Sequence, residues 1–195
     1  MLRANVRHLE AIVLTHEHND HVIGLDDIRP FNFNSGKPMR VYALPRVAAE
    51  VQKRFEYIFG KPVPGLPRVE LIDIEPDRPF VLEGVTVQPI GIQHGRLPIL
   101  GYRFGDLTYL TDVKSVLPEE LQKIKGTKYL ITSALHHDNH PTHMNLKEAL
   151  ELAGKIAPEQ AWLTHISHNM GLAADVGRQL GPGISLAYDG LEIKF

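Results

Sequence analysis

The run Thr15-His16-Glu17-His18-Asn19-Asp20-His21 follows directly on the apolar segment Leu9-Glu10-Ala11-Ile12-Val13-Leu14. It brings three imidazoles and the Asp20 carboxylate together at the point where a buried strand is expected to end. A strand edge holds side chains rigidly, and the turn after it lets closely spaced residues converge. His16 and His18 are placed to face one metal ion, while Asp20 and His21, offset by the turn, face a second. Imidazole mixed with carboxylate suits zinc, manganese or iron better than calcium, which prefers oxygen alone. Taken by itself, the run also reads as a solvated histidine-rich loop, and the rest of the chain decides between the two.

The 195 residues, 43% of them hydrophobic, suit one globular domain spanning 1–195. A formal net charge of −2 offers no broad basic face, so long nucleic acids are not expected partners. With no cysteine, disulfides and thiolate metal sites are excluded. No apolar run is long enough to cross a bilayer, and Met1-Leu2-Arg3-Ala4-Asn5 lacks a charged-then-apolar leader pattern. A cytoplasmic protein with no membrane partner is the expectation. Oligomeric state stays open, a homodimer included.

Short apolar runs alternate with amphipathic stretches, which predicts mixed α and β structure. Arg40–Leu44 reads as a strand; Pro45 then suits a first helical turn, and Val47, Val51, Phe55 and Ile58 recur at helical spacing. Gly60–Pro67 is too rich in proline and glycine for regular structure and reads as a surface loop. Strands are expected at Val69–Ile74, Phe80–Leu82 and Val85–Ile92, with Glu83-Gly84 as a hairpin turn. Gly101–Phe104, Leu107–Leu110, Tyr129–Thr132, Ala161–Leu163, Ile184–Ala187 and Leu191–Ile193 complete the set. Helices are expected at Pro118–Lys125, after Asn145 with Glu148 in capping-box position, and over Leu172–Leu180. Substrate specificity is expected in loops such as Asn32–Lys37 and Lys61–Pro67.

Further polar residues stand at the ends of these strands. His94 ends the run from Val85, Asp112 follows Leu107–Thr111, and His165 follows Ala161–Thr164. Singly, each reads as a turn former or a hydrogen-bonded histidine. Together, strand-then-ligand recurs at four places, and strands of one sheet deliver their ends to a common edge.

His16-Glu17-His18-Asn19-Asp20-His21, followed in order by His94, Asp112 and His165, resembles the metallo-β-lactamase superfamily signature H-x-H-x-D-H, histidine, bridging aspartate, histidine. The resemblance implies an α/β (α+β) fold of the αββα sandwich type, with two mixed β-sheets flanked by helices. It implies two divalent transition-metal ions, Zn or Mn: one held by His16, His18 and His94, the other by Asp20, His21 and His165, with Asp112 bridging. Members usually begin with several strands ahead of the first metal motif, so the N-terminal part of the first sheet is expected to be incomplete here.

Thr164-His165-Ile166-Ser167-His168, Leu110-Thr111-Asp112 and Ala187–Ile193 resemble the phosphodiesterase branch, which includes the PhnP-like cyclic phosphodiesterases and, more distantly, ribonuclease Z. In that branch a histidine ahead of an alanine- and leucine-rich helix assists catalysis, and here the place falls to His143 in Pro141-Thr142-His143-Met144. The neighbouring His136, His137 and His140 read as loop surface. His168 is a candidate phosphate contact, and Asp189 either orients a ligand or caps the last turn.

The resemblance implies hydrolysis of a small phosphodiester, cyclic ones included, by a hydroxide bridging two metals. In that scheme Asp20 and Asp112 serve the metal centre, and His143 donates a proton or steadies the phosphate. Thioester or lactone hydrolysis on the same scaffold is the enzymatic alternative, and a metal-binding fragment without turnover is the non-enzymatic one. Ribonuclease Z activity would need a basic, glycine-rich arm that the sequence lacks.

Overall fold

The short aliphatic runs form two β-sheets in a computed structural model that describes residues 4–61 and 63–195. The chain divides into two compact units: one runs to Arg78 and includes Leu82–Gly84, and the other comprises Pro79–Val81 and Val85–Phe195.

The first unit holds a parallel sheet of β1 (Ala11–Val13), β2 (Met39–Ala43) and β3 (Val69–Asp73), in the order β1-β2-β3. Helices α1 (Asn19–Val22), α2 (Arg29–Ser35), α3 (Pro45–Arg54) and α4 (Glu56–Phe59) accompany it. Val41, Ala43 and Val47 are wholly buried at its centre. Pro45 opens α3 with its φ already set for a helix. The expected stripe Val47, Val51, Phe55, Ile58 is split, because Phe55 leaves the helical region (φ −112°, ψ 41°) and α4 starts afresh. Phe55 nonetheless stays in the core.

Asn32–Lys37 is not the loop expected from sequence. It is the last turn of α2 with a left-handed stop at Gly36. Asn32 is buried there, its amide donating to the Lys37 and Arg68 carbonyls (both 3.0 Å) and accepting from Arg68 N–H (2.8 Å). Gly60–Pro67 is irregular as expected, apart from Pro62, which lies outside the described residues.

The second sheet is built on β4 (Phe80–Leu82, whose Leu82 groups with the first unit), β5 (Val85–His94), β6 (Leu97–Phe104), β7 (Leu107–Leu110), β8 (Ser115–Val116), β9 (Tyr129–Ser133), β10 (Gln160–Thr164) and β11 (Ile184–Leu186). Their order is β11-β10-β9-β7-β6-β5-β4, with β8 beside β5. The β5-β6-β7 stretch is antiparallel, and β7-β9-β10-β11 is parallel. Helices α5 (Pro118–Lys123), α6 (Leu146–Ile156) and α7 (Ala173–Gly177) complete it.

Glu83 and Gly84 both have positive φ (46° and 83°), the pair a two-residue hairpin needs. β6 begins four residues before its expected start, because Pro98, with no N–H to give a ladder, hides the first half of the strand. α7 is shorter than expected, and Leu191–Ile193 is irregular. Among the described residues no helix is long and apolar enough to cross a membrane.

Ile90, Leu110, Leu130, Ala149 and Leu163 are completely buried in the second unit. Each large aliphatic side chain among them contributes about 1.5–3 kcal/mol by leaving water. α6 starts with the expected capping box: Asn145 Oδ1 accepts from Glu148 N–H, and Glu148 Oε2 accepts from Asn145 N–H, both at 2.9 Å.

β6 and β7 approach so closely that a Cβ on Gly101 would stand 2.4 Å from Leu110 Cδ2 and 2.8 Å from the Tyr109 carbonyl. Gly101→Ala should therefore cost about 1–3 kcal/mol, and thermal unfolding should register a fall in Tm of several degrees. An unchanged Tm would contradict the packing described.

Candidate metal centre

In the first unit, the chain leaves β1 with one further backbone bond, Leu14 N–H to the Tyr42 carbonyl (2.9 Å), and then turns. His16 is completely buried, with Nδ1 3.0 Å from the Thr15 hydroxyl. The His18 ring lies edge-on to it at 4.6 Å, and the His21 ring is tilted against it at 4.4 Å. α1 carries Asp20 and His21, whose Oδ2 and Nε2 are 3.3 Å apart. The local clustering expected from the motif is therefore present.

Two arginines of α3 hold this turn. Arg46 pairs with the Glu17 carboxylate, and Arg54 Nη1 donates to the Glu17 carbonyl at 2.7 Å. Sequence reasoning passed over both, since nothing in their spacing links them to Glu17.

In the second unit, four expected residues meet. His94 is the last residue of β5 and is buried. Its Nδ1 faces the Asp112 carbonyl at 3.0 Å and the Thr142 carbonyl at 2.9 Å. Carbonyls only accept, so Nδ1 carries the proton and the Nε2 lone pair is the one left for a cation. Asp112 is 2% exposed, and its Oδ1 accepts from the Thr111 hydroxyl at 2.8 Å and stands 3.2 Å from His165 Nε2. Asp112 and His165 both adopt left-handed backbone, φ 57° and 54°. This unusual conformation for non-glycine residues turns each side chain aside at a strand end.

His143 joins this group. Its ring lies 4.6 Å from that of His94 and stacks on His165 at 5.0 Å. One ligand atom each from His94, Asp112 and His143 lie within 4.8 Å of one another. His143 Nδ1 is buried without a hydrogen-bond partner. A nearly inaccessible carboxylate ringed by imidazoles, one with a fixed lone pair and one with an orphaned nitrogen, fits a divalent transition metal.

The remaining candidates divide. His168 is exposed in a single 3₁₀ turn (His168–Met170), and among the described residues its side chain makes no hydrogen bond or ring contact. Asp189 is exposed in the turn closed by Leu191 N–H to the Tyr188 carbonyl (3.0 Å). His137 is exposed and bonds the Met170 carbonyl at 3.1 Å. His140, expected at the surface, instead packs its ring 5.1 Å from that of His143. Thr111 and Thr142 also hold the cluster, and the only hint in the sequence is that a threonine precedes each of His16, Asp112, His143 and His165.

Burial pushes the His143 imidazole down to about 4 from its ordinary 6.5; the Asp112 carboxylate pulls the other way, and neighbouring His94, His165 and His140 push it down further. In metal-free protein, an NMR titration should place the His143 ring midpoint near pH 4. The unfolded chain takes up this proton near 6.5 and the folded chain does not. The His143 contribution to stability is therefore full above pH 6.5 and is lost as pH falls toward 4. A midpoint at or above 6.5 would refute the burial argument.

The family model described as the β-lactamase superfamily domain matches residues 1–166. A crystal structure described as a new diphosphatase from the PhnP family is 35% identical, covers all of this chain and 74% of its own, and superposes with a TM-score of 0.91. Human tRNase Z, short form, is 19% identical over 98% of this chain and 80% of its own, with a TM-score of 0.66, a likeness of fold alone. An octanoyltransferase of Porphyromonas gingivalis is 39% identical over 193 residues, 98% of this chain. The chain spans only 39% of that relative's length, so the relative's name describes a protein whose greater part lies outside the match. With the family model covering most of its length and a PhnP-family structure matching all of it, this chain belongs to the metallo-β-lactamase superfamily and is PhnP-like.

Proposed function

We propose that the protein is a binuclear metal-dependent hydrolase of small phosphoric diesters, cyclic ones included. The observation that carries this reading is the meeting of His94, Asp112 and His165 at strand ends with His143 from the loop before α6, in a chain 35% identical over its whole length to a PhnP-family diphosphatase. His16, His18 and His94 would hold one metal, and Asp20, His21 and His165 the other, with Asp112 shared. Two divalent ions, zinc or manganese, would supply an activated water and neutralise charge on the phosphoryl oxygens.

The chain's own residues divide the remaining work. In hydrolysis the water oxygen bonds to phosphorus, the bond to one ester oxygen breaks, and that oxygen leaves with a proton. The His94 Nδ1–H, tied to two carbonyls, keeps its Nε2 lone pair aimed. The Thr111 hydroxyl, donating to Asp112 Oδ1, fixes the carboxylate that both metals would share. His143, neutral near pH 7 because of its lowered pKa, acts on the phosphate or the leaving oxygen chiefly as an N–H donor. His168 would reach the phosphate once substrate is present.

Metal analysis of purified protein should find up to two transition-metal ions per chain; none would end this reading. Asp112→Ala should abolish hydrolysis of bis(p-nitrophenyl) phosphate, whereas unchanged turnover would remove the shared-ligand role. His143→Ala should lower kcat by ~10²–10⁴-fold with metal content intact, and loss of metal instead would make His143 a ligand. Faster turnover of a thioester or lactone than of any phosphodiester would replace the assigned substrate class.

A further inference from the structure

The loop that carries His143 runs from β9 to α6, and backbone bonds tie its base. Leu135 N–H donates to the Met144 carbonyl (3.0 Å), Met144 N–H to the Val113 carbonyl (2.7 Å) and Leu146 N–H to the His136 carbonyl (2.8 Å). The tip, residues 138–141, has less to hold it. Among the described residues, one hydrogen bond joins that tip to another segment of the chain: Lys114 Nζ donates to Asn139 Oδ1 at 3.1 Å.

The same ammonium group also reaches the far side of the loop. It donates to both carboxylate oxygens of Glu148, at 2.8 and 2.9 Å, and Glu148 Oε2 accepts from Asn145 N–H at 2.9 Å. Lys114 thus bonds the chain four residues before His143 and, through Glu148, two residues after it. Its own backbone is fixed beside the site, since its N–H donates to the Gln93 carbonyl at 2.7 Å. Burial raises the Glu148 carboxyl, but Lys114 and the Asn145 N–H outweigh it and hold the group below the usual carboxylate range. The pair is therefore ionised at neutral pH, and charge-assisted bonds of this kind are stronger than neutral ones. The fold has no need of this ammonium elsewhere: α6 has its capping box between Asn145 and Glu148, and β7 pairs with β9 through the backbone.

We propose that Lys114 is a positioning residue for His143: by bonding both flanks of the loop, it keeps the imidazole beside the Asp112 carboxylate. The inference rests on the hydrolase reading above, in which His143 acts on the phosphate or the leaving oxygen, and adds what holds the ring in place. A proton donor acts only within hydrogen-bond reach of its target, and a small misplacement is costly in rate. Freeing the tip therefore lowers kcat rather than raising KM, because the metal ligands sit on other segments or on the tied base.

The test is a double-mutant cycle in metal-loaded protein with bis(p-nitrophenyl) phosphate as substrate. Lys114→Met should lower kcat about tenfold with KM and metal content unchanged, and Lys114→Arg, which keeps a cationic donor, should recover part of the loss. In a His143→Ala background Lys114→Met should lower kcat no further, because a residue acting through the imidazole then has nothing to place. Equal losses in the two backgrounds, an unchanged kcat, or a loss that follows departed metal would each overturn the proposal. A second readout needs no turnover. In metal-free Lys114→Met protein, NMR order parameters of the backbone amides over 139–143 should fall from ~0.85 toward ~0.6, with those of α6 unchanged; no fall, or one spread through α6, would overturn it. If the wild type hydrolyses no phosphodiester, the phosphoric-ester reading fails, and the order parameters alone judge whether Lys114 places His143.

Discussion

Parallel pairing of β7, β9 and β10 is the constraint on which the second histidine cluster depends. In that register Leu110, Thr132 and Leu163 form one row across the sheet. Asp112 and His165 each lie two residues beyond that row, so their Cα atoms reach the same edge without any special loop. Each then takes a left-handed backbone turn, which costs an L-residue on the order of 1–2 kcal/mol. Burial of Leu110 and Leu163 beneath them offsets that cost, and strain of this kind persists only where the surroundings over-determine the conformation.

His94 reaches the cluster by a different route, from the end of an antiparallel strand. Its ring joins two other segments, since Nδ1 bridges the Asp112 and Thr142 carbonyls. Thr142 is also pressed against the β5-β6 turn: a Cβ on Gly95 would come within 2.8 Å of Thr142 Cγ2, and Gly95 has φ +63°. Only glycine meets both demands there. The loop bearing His143 is thus positioned by the hairpin beside it as much as by its own sequence, and the capping box of α6 with Lys114 secures its far end.

The histidine and aspartate cluster was legible in the sequence because its members follow strands, and strands betray themselves by short aliphatic runs. The runs ending before His16, Asp112 and His165 are of this kind, and the Asn145-to-Glu148 capping box that starts α6 is a separate local signal. Elements with weak local signals were not legible. Asn32–Lys37 has loop-like composition, yet Asn32 is buried because three backbone groups need its amide. Pro98 disguised half of β6, and Leu191–Ile193 alternates like a strand but finds no neighbour to pair with among the described residues. His140 reads as an exposed loop side chain in the sequence, since nothing in a histidine-rich run tells which ring faces which.

The sequence by itself determined which atoms are on offer: imidazoles and carboxylates in a fixed order, no thiols, and hydrophobic runs long enough for strands but not for a membrane helix. Those are properties of residue type and spacing, which local physics reads directly. Tertiary structure decided which nitrogen of His94 keeps its proton, which carboxylate oxygen Thr111 engages, and which of the other three loop histidines packs against His143. These depend on hydrogen bonds between segments far apart in the chain, and only strand register and packing bring such partners within reach.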